Sequence, residues 1–163
     1  MTGGGSTMTT AVSAELVREF FAARVAGDPA RIGALIDDDI DWSISGPVNI
    51  LPYAGHRRGK QAVLDSVVQQ GRKIFEVTDV QIDDIVVDGD KAVVRTRLSG
   101  IHRPTGRKIS YNCAQLLAYR DGKIVRFKAI IDSFDAAEQM LGREIDISDT
   151  PPNAKPAITV PAL

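Results

Sequence analysis

The stretch KISYNCAQLLAYRDGKIVRFKAII, residues 108–131, decides the fold class. Apolar and polar residues alternate on both sides of Asp121-Gly122, a dipeptide that favours a tight β-hairpin turn. A period of two is typical of a strand with one buried face. The stretch therefore predicts two antiparallel strands, Lys108–Tyr119 and Lys123–Ile131.

Two earlier segments extend this hairpin into a meander. Val77–Val87 and Lys91–Gly100 show the same period, and the turn-forming residues Asp88-Gly89-Asp90 connect them. A second turn-like connection, Arg103-Pro104-Thr105-Gly106, leads into the strand that begins at Lys108. Because each connection is short, we expect all four strands to pair antiparallel with their neighbours in the chain.

Helical spacing of apolar residues dominates the chain before Phe75. A first helix follows the N-cap candidate Ser13 and ends at Gly27; a second begins at Asp28-Pro29, carries Ile36 on its apolar face and ends in the aspartate run. Separate helical and strand regions predict an α+β domain, with N-terminal helices packed on a curved, mainly antiparallel sheet. The remaining predicted elements are a strand at 40–45, a loop at 48–58, a helix at 60–74 and a short helix between Asp132 and Gly142.

Length and local composition predict one domain with two appendages. A chain of 163 residues is long enough for one hydrophobic core and short for two. We expect residues 1–10, which include a Gly-Gly-Gly-Ser run, to be a disordered linker or tag. Residues 11–148 are then the domain, and residues 149–163, with four prolines, an extended tail.

Charge and cysteine usage exclude several partners. Twenty basic and 21 acidic residues give a net charge of −1, so nothing favours binding to nucleic acid or to a membrane surface. The single Cys113 cannot form an internal disulfide, and no apolar signal segment opens the chain, so we expect a cytoplasmic protein. Two histidines and one cysteine are too few for a dedicated zinc site.

The predicted inner face of the sheet is mostly apolar. Residues two apart share a face, which places Trp42, Leu98 and Phe127 inside, with only Thr96, Tyr111 and Gln115 as polar groups. Such a surface suits an apolar small molecule held by few hydrogen bonds. It is equally compatible with a plain hydrophobic core.

Several short motifs together resemble the SnoaL-like proteins, which belong to the superfamily of nuclear transport factor 2 and ketosteroid isomerase. The resemblance runs from about Ser13 to Gly142 and implies a cone-shaped α+β fold whose mouth binds small apolar molecules. Superfamily members include isomerases, polyketide cyclases, dehydratases and limonene epoxide hydrolases, and also dimeric binding modules without catalysis. The motifs are DDDIDW at 37–42, LPYAG at 51–55, Gly59-Lys60, PTGR at 104–107 and DGKI at 121–124.

Comparison with the motifs of two superfamily enzymes also argues against their reaction mechanisms for this chain. Where ketosteroid isomerases carry a tyrosine and two aspartates, this chain has Phe20, Ile44 and Gln115. Where limonene epoxide hydrolases carry Arg-x-Asp and a second aspartate, it has Arg97-Leu98-Ser99 and Ala129. Neither of those reactions is therefore expected.

Two residues remain as candidates for acid–base chemistry. Resemblance to the polyketide cyclases would make Asp132 a proton shuttle, and a carboxyl beside Trp42 and Phe127 would have a raised pKa; the alternative is an ordinary helix N-cap. His56 lies with Tyr53 in the loop that would close over the cone, where it could exchange a proton with a ligand. The alternative for His56 is a solvent-facing loop residue.

Our leading hypothesis is a small-molecule enzyme that performs isomerisation, cyclisation, dehydration or hydrolysis on an apolar substrate, with Asp132 and His56 catalytic and with no metal or organic cofactor. The alternative is a non-catalytic module of the same fold, for ligand binding or dimerisation. In both cases the resemblance implies a homodimer through the outer sheet face, which carries Arg95, Arg97, Ser110 and Asn112. The expected substrate-binding residues are Phe20, Trp42, Ile44, Tyr53, Leu98, Tyr111, Gln115 and Phe127.

Overall fold

The computed structural model describes residues 11–146, in which helices pack against a curved six-stranded sheet. The strand order is β2-β1-β6-β5-β4-β3, and every neighbouring pair is antiparallel except β1 with β6. The predicted α+β class and the predicted four-stranded meander are therefore confirmed. The strands are β1 (Ile36–Ile44), β2 (Gly55–Arg58), β3 (Phe75–Asp88), β4 (Lys91–His102), β5 (Arg107–Arg120) and β6 (Lys123–Ile131).

The first two helices, α1 (Ala14–Ala26) and α2 (Pro29–Leu35), are delimited by the expected capping residues. The Ser13 hydroxyl accepts the Leu16 N–H at 3.1 Å, and the Asp28 carboxylate accepts two N–H groups at the start of α2. Gly27, at φ 61°, ends α1 in the left-handed conformation that glycine adopts without strain. These caps fix the turn between α1 and α2 at one end of the domain.

The predicted helix at 60–74 is present, but its middle is a π-helix. It runs through α3 (Lys60–Val63), a π-helical segment (Leu64–Gln70) and α4 (Gly71–Ile74). Within it the Gly71 N–H bonds to the Ser66 carbonyl, five residues earlier. A π-helix is rare and is often found at functional sites. Val67 and Val68, both in this segment, are buried against the sheet side of the helix.

Two predicted boundaries are wrong. The second helix does not reach the aspartate run, because Ile36 already belongs to β1 and pairs with Ile124 of β6. The stretch at 48–58 is not all loop, since β2 pairs antiparallel with β1 from Asp41↔Arg58 to Ile44↔Gly55. In both places tertiary strand pairing overrides the local sequence pattern.

The assignment of inward and outward faces is largely confirmed. Val94, Thr96 and Leu98 of β4 are buried, and so are the alternate residues of β5 from Ile109 to Tyr119. β6 deviates at its start: alternation back from the inward Phe127 places Val125 inside, but Ile124 is buried and Val125 is half-buried. A register shift between Ala118 and Tyr119 in the pairing with β5 accounts for the change of face.

The last helix, α5 (Ser133–Leu141), packs on β5 and ends at Gly142. Asp132 is its N-cap. The predicted linker at 1–10 and tail at 149–163, together with the last two residues of the predicted domain, lie outside the described residues. Across residues 11–146 the helices are all too short or too polar to span a bilayer.

Candidate small-molecule site

A cavity of about 50 Å³ lies between the helices and the inner face of the sheet. At roughly 10–15 Å³ for each water, this space takes about three or four water molecules, or a small ring with modest side-chain movement. Apolar side chains form most of its wall. The lining residues are Arg24, Gly27, Ile32, Ile44, Tyr53, Val67, Val68, Gly71, Arg72, Phe75, Val77, Leu98, Tyr111, Cys113, Gln115, Ala129 and Ile131.

Two tyrosine hydroxyls meet at the wall of this cavity. The Tyr111 hydroxyl donates to the Tyr53 hydroxyl at 3.0 Å, and the Phe75 ring packs beside both tyrosines. Burial raises the pKa of Tyr53 to about 12 and raises that of Tyr111 well above its ordinary value. Both phenols are therefore neutral at physiological pH. Because the Tyr111 hydroxyl hydrogen is used in the bond to Tyr53, the Tyr53 hydroxyl hydrogen stays available to a ligand.

A second polar pair, Gln115 and Thr96, is hydrogen-bonded within itself. The Gln115 amide donates to the Thr96 hydroxyl at 2.9 Å, and both residues are buried. Cys113 lies between this pair and Tyr111 along β5, and burial raises the pKa of its thiol to about 11. A protonated, apolar-packed thiol is a poor nucleophile. Cys113 is thus a buried packing residue of β5.

Arg24 brings a positive charge to the cavity that the sequence analysis did not anticipate. Its guanidinium lies 5.5 Å from the Trp42 ring centroid and 5.6 Å from that of Phe127, and these two rings stack on each other. Burial lowers the pKa of Arg24, against smaller effects from Tyr111, Cys113 and Tyr53. Among residues 11–146, no carboxylate and no hydrogen-bond acceptor engages this guanidinium.

The cavity approaches solvent beside Arg72. An open depression on the outside shares Gly27, Val68 and Arg72 with the cavity and adds Lys73 and Arg103. The Arg72 guanidinium donates to the Gly27 carbonyl at 2.7 Å, which holds it across the boundary between cavity and depression. A single carboxylate, Glu76, contacts Arg103 at 2.7 Å and Arg72 at 3.9 Å. The entrance therefore carries a net positive charge.

The predicted binding residues divide into two groups. Ile44, Tyr53, Leu98, Tyr111 and Gln115 line the cavity. The other three predicted residues are aromatic and lie behind the wall, where their rings pack together and Arg24 lies over two of them, Trp42 and Phe127. The three residues are Phe20, Trp42 and Phe127, each at most 1% exposed.

Neither predicted catalytic residue lines the cavity. Asp132 is exposed and accepts the Asp135 N–H at 3.5 Å, so the expected desolvation beside Trp42 and Phe127 is wrong. His56 lies on β2 rather than in a loop, is 60% exposed, and pairs with Asp41 at 2.5 Å on the outer side of β1. The catalytic assignment of these two residues stays a prediction without support from their positions.

The wall holds few groups that could accept a proton or ligate a metal. Within the described part of the chain, the cavity is lined by no carboxylate and no imidazole. The same residues contain no cluster of three His, Cys, Asp or Glu side chains that could hold a metal ion. The site therefore offers an apolar space, a neutral tyrosine pair and two guanidiniums, that of Arg24 and that of Arg72, of which Arg72 is bonded to the Gly27 carbonyl.

Comparison with known proteins places these features in context. A family model described as SnoaL-like domain matches residues 17–127. No curated protein matches the chain. A candidate isomerase from Rhodopseudomonas palustris is 29% identical and has a TM-score of 0.74, over 81% of this chain and 100% of that one.

Two further solved structures share the fold. A nuclear transport factor 2-like protein from Burkholderia thailandensis is 26% identical, with a TM-score of 0.67 over 77% of this chain and 95% of that one. An epoxide hydrolase from Mycobacterium tuberculosis, of the limonene epoxide hydrolase-like type, is 18% identical, with a TM-score of 0.64 over 78% of this chain and 88% of that one. At 18% identity the second likeness concerns the fold alone.

Proposed function

This chain belongs to the family of SnoaL-like domains within the nuclear transport factor 2-like superfamily, and we propose that it binds a small, largely apolar molecule inside its cone. The observation that carries the proposal is the cavity itself, in which a neutral Tyr53–Tyr111 pair faces an otherwise mostly apolar wall. Ligand sites commonly combine an apolar wall with a few well-placed polar groups. The tyrosine pair would orient one polar atom of the ligand.

The cavity favours binding over the acid–base enzyme of our leading hypothesis. General acid–base catalysis needs a group that can gain or lose a proton near neutral pH within hydrogen-bond reach of the substrate. The two tyrosines and Cys113 have raised pKa values, and the carboxylate and imidazole candidates lie outside. Of the two functions expected from the sequence, the binding module is therefore the better supported.

A direct test uses single-ring probes and a filled cavity. We expect toluene, benzamide or benzoate to bind the wild-type protein saturably in ligand-observed NMR. Ala129→Leu, which adds bulk at the cavity wall, should abolish this binding. Ala114→Leu is the matched control, since Ala114 lies on the neighbouring strand β5 and does not line the cavity.

The binding proposal fails if no probe binds, or if Ala129→Leu binds as well as the wild type does. Thermal melts of both leucine variants show whether each is folded. A folded Ala129→Leu protein that no longer binds, beside an Ala114→Leu protein that does, supports the cavity as the site.

A second candidate function is isomerase-type chemistry, which the 29% identity to the R. palustris candidate isomerase favours. In such chemistry the Tyr53–Tyr111 pair would donate to the oxyanion that develops while water or buffer takes the α-proton, since the described cavity wall holds no carboxylate or imidazole to accept that proton. The reaction would show as α-proton exchange of 2-cyclohexenone in D₂O, followed by NMR. Exchange above the buffer rate that Tyr111→Phe removes would favour the enzyme, and exchange at the buffer rate would leave the binding function alone.

Two further expectations join the proposal. We propose a homodimer through the outer face of the sheet, where three exposed apolar side chains lie together on β4, β5 and β6. These are Val93, Leu116 and Ile130. The cytoplasmic location expected from the sequence stays a prediction.

A further inference from the structure

We propose that the ligand of the cone is an organic anion, an apolar body carrying a carboxylate that pairs with Arg24. This inference rests on the proposed binding function and specifies the charge of its ligand. Three observations carry it: the position of the half-buried Arg24 at the cavity wall, its unused hydrogen-bond donors, and the positive entrance.

Burying the guanidinium of Arg24 is costly without a partner. A charge removed from water costs several kcal/mol unless it is paired or hydrogen-bonded. The stacked rings of Trp42 and Phe127 offset part of this cost, because a desolvated cation–π contact is worth roughly 2 kcal/mol. The rings do not accept the N–H hydrogens at the edge of the guanidinium. An anion within the cavity would.

The donors of Arg24 have the geometry that a carboxylate requires. A guanidinium presents five N–H groups in a rigid planar fork, which binds a carboxylate through two parallel hydrogen bonds. In the described residues none of these five donors has a protein acceptor. Arg72, the other arginine that lines the cavity, differs, since its guanidinium donates to the Gly27 carbonyl.

The groups around Arg24 leave no competing negative charge. The nearest titratable neighbours, Tyr53, Tyr111 and Cys113, all have pKa values raised by burial and are neutral at physiological pH. A ligand carboxylate would therefore meet the positive charge of Arg24, that of Arg72 at the boundary with the outer depression, neutral tyrosine hydroxyls and apolar walls. A cationic ligand would meet only repulsion from Arg24.

The charge at the entrance has the same sign, positive, as the charge inside the cavity. Arg72, Lys73 and Arg103 border the depression outside the cavity, against the single carboxylate of Glu76. Clefts lined by one sign of charge concentrate ligands of the opposite sign and raise their association rate. The chain as a whole has a net charge of only −1, so this positive path is a local feature.

The test compares three probes of nearly equal shape and different charge. Benzoate, benzamide and benzamidine are titrated into the protein while the fluorescence of Trp42, the only tryptophan, is recorded. Because Arg24 lies over the Trp42 ring, a ligand at Arg24 should change this signal. We expect benzoate to bind at least about tenfold more tightly than benzamide, and benzamidine not to bind.

Variants assign the preference to Arg24. Arg24→Gln should lower benzoate affinity at least about tenfold and abolish the preference for benzoate over benzamide. Arg18→Gln is the matched control on the exposed side of the same helix and should behave as the wild type does. Melting curves establish that each variant is folded, and the wild-type comparison of the three probes needs no variant.

The outcomes separate this inference from the binding function. If benzamide binds as tightly as benzoate, or Arg24→Gln keeps the preference for benzoate, the anion inference is wrong and the binding function stands. If neither benzoate nor benzamide changes the fluorescence and toluene also fails to bind, both are wrong. Tight binding of benzamidine would overturn the anion inference alone.

Discussion

Burial of the Cys113 thiol should make the stability of the fold depend on pH. The thiol has an ordinary pKa of 9.0, which burial raises to about 11 in the folded protein. The folded state thus favours the protonated thiol. Its contribution to stability is complete below pH 9 and is lost as the pH rises through 11.

We expect the free energy of unfolding of the wild type to fall by about 2 kcal/mol more than that of Cys113→Ala between pH 9 and 11. Urea denaturation at pH 8, 9, 10 and 11 measures the difference. Both proteins share the titration of Tyr53, so their difference isolates the thiol. Equal slopes for the two proteins would show that Cys113 titrates as an exposed thiol.

Arg24 illustrates what residue-level pattern analysis can find and where it stops. Val17, Phe20, Phe21 and Arg24 follow the i, i+3, i+4, i+7 spacing of one helix face, so the pattern already places a charge on the buried side of α1. What lies opposite that charge depends on how α1 packs against β1 and β6. The stacking of Trp42 on Phe127, which forms its platform, is a tertiary contact without a local signature.

At the scale of elements, the α5 N-cap distinguishes a structural from a catalytic role for Asp132. Asparagine caps helices about as well as aspartate, whereas alanine does not. We expect Asp132→Asn to leave stability and benzoate binding unchanged and Asp132→Ala to cost about 0.5–1 kcal/mol. Chemical denaturation and fluorescence titration measure both. Loss of ligand binding or turnover in the folded Asn variant would restore Asp132 as a functional carboxyl.

Gly100 on β4 allows Phe75 to pack against the tyrosine pair. A Cβ at this position would lie 2.4 Å from the Glu76 carbonyl oxygen and 2.5 Å from the Phe75 ring. Gly100→Ala should therefore destabilise the protein by about 1–3 kcal/mol and displace Phe75 from the cavity wall. Gly33→Ala is the control: in α2 the added methyl has room, and stability should rise by up to about 1 kcal/mol.

Thermal or chemical denaturation of the two glycine variants checks this prediction. A Gly100→Ala protein as stable as the wild type would show that β3 and β4 separate easily at this point. It would also mean that the close approach of β3 to Gly100 of β4 does not position Phe75.

The elements themselves were predicted well where local rules are strong. Period-two alternation and the Asp121-Gly122 turn define β5 and β6 without reference to the rest of the fold. β2 was missed because four residues, Gly55–Arg58, carry no apolar alternation and owe their strand conformation to pairing with β1. The π-helical segment was missed because its apolar spacing resembles that of an α-helix.

At the scale of the whole molecule, the outer sheet face should determine the oligomeric state. Val93 and Leu116 are register partners and Ile130 lies one strand further, each 41–49% exposed. Leu116→Arg should convert a dimer into a monomer, measured by light scattering after size exclusion. Val48→Arg, at an exposed apolar residue outside this patch, should not. A wild type that is monomeric at all concentrations tested would contradict the dimer.

The cavity was predictable only as a property of the fold. Inward residues such as Leu98, Tyr111 and Gln115 followed from alternation, but alternation cannot tell a filled core from an open one. The cavity arises where α1, the π-helical segment and the sheet fail to meet completely. That gap depends on tertiary helix packing, and Val67 and Val68 of the π-helical segment form part of its wall.

The most direct test of the account is a crystal structure of the protein with benzoate. We predict the ring inside the cavity, within van der Waals distance of Leu98 and Ile131, and the carboxylate within hydrogen-bond distance of the Arg24 guanidinium. Benzoate found only in the outer depression against Lys73 and Arg103, with the cavity empty or filled by water, would contradict it.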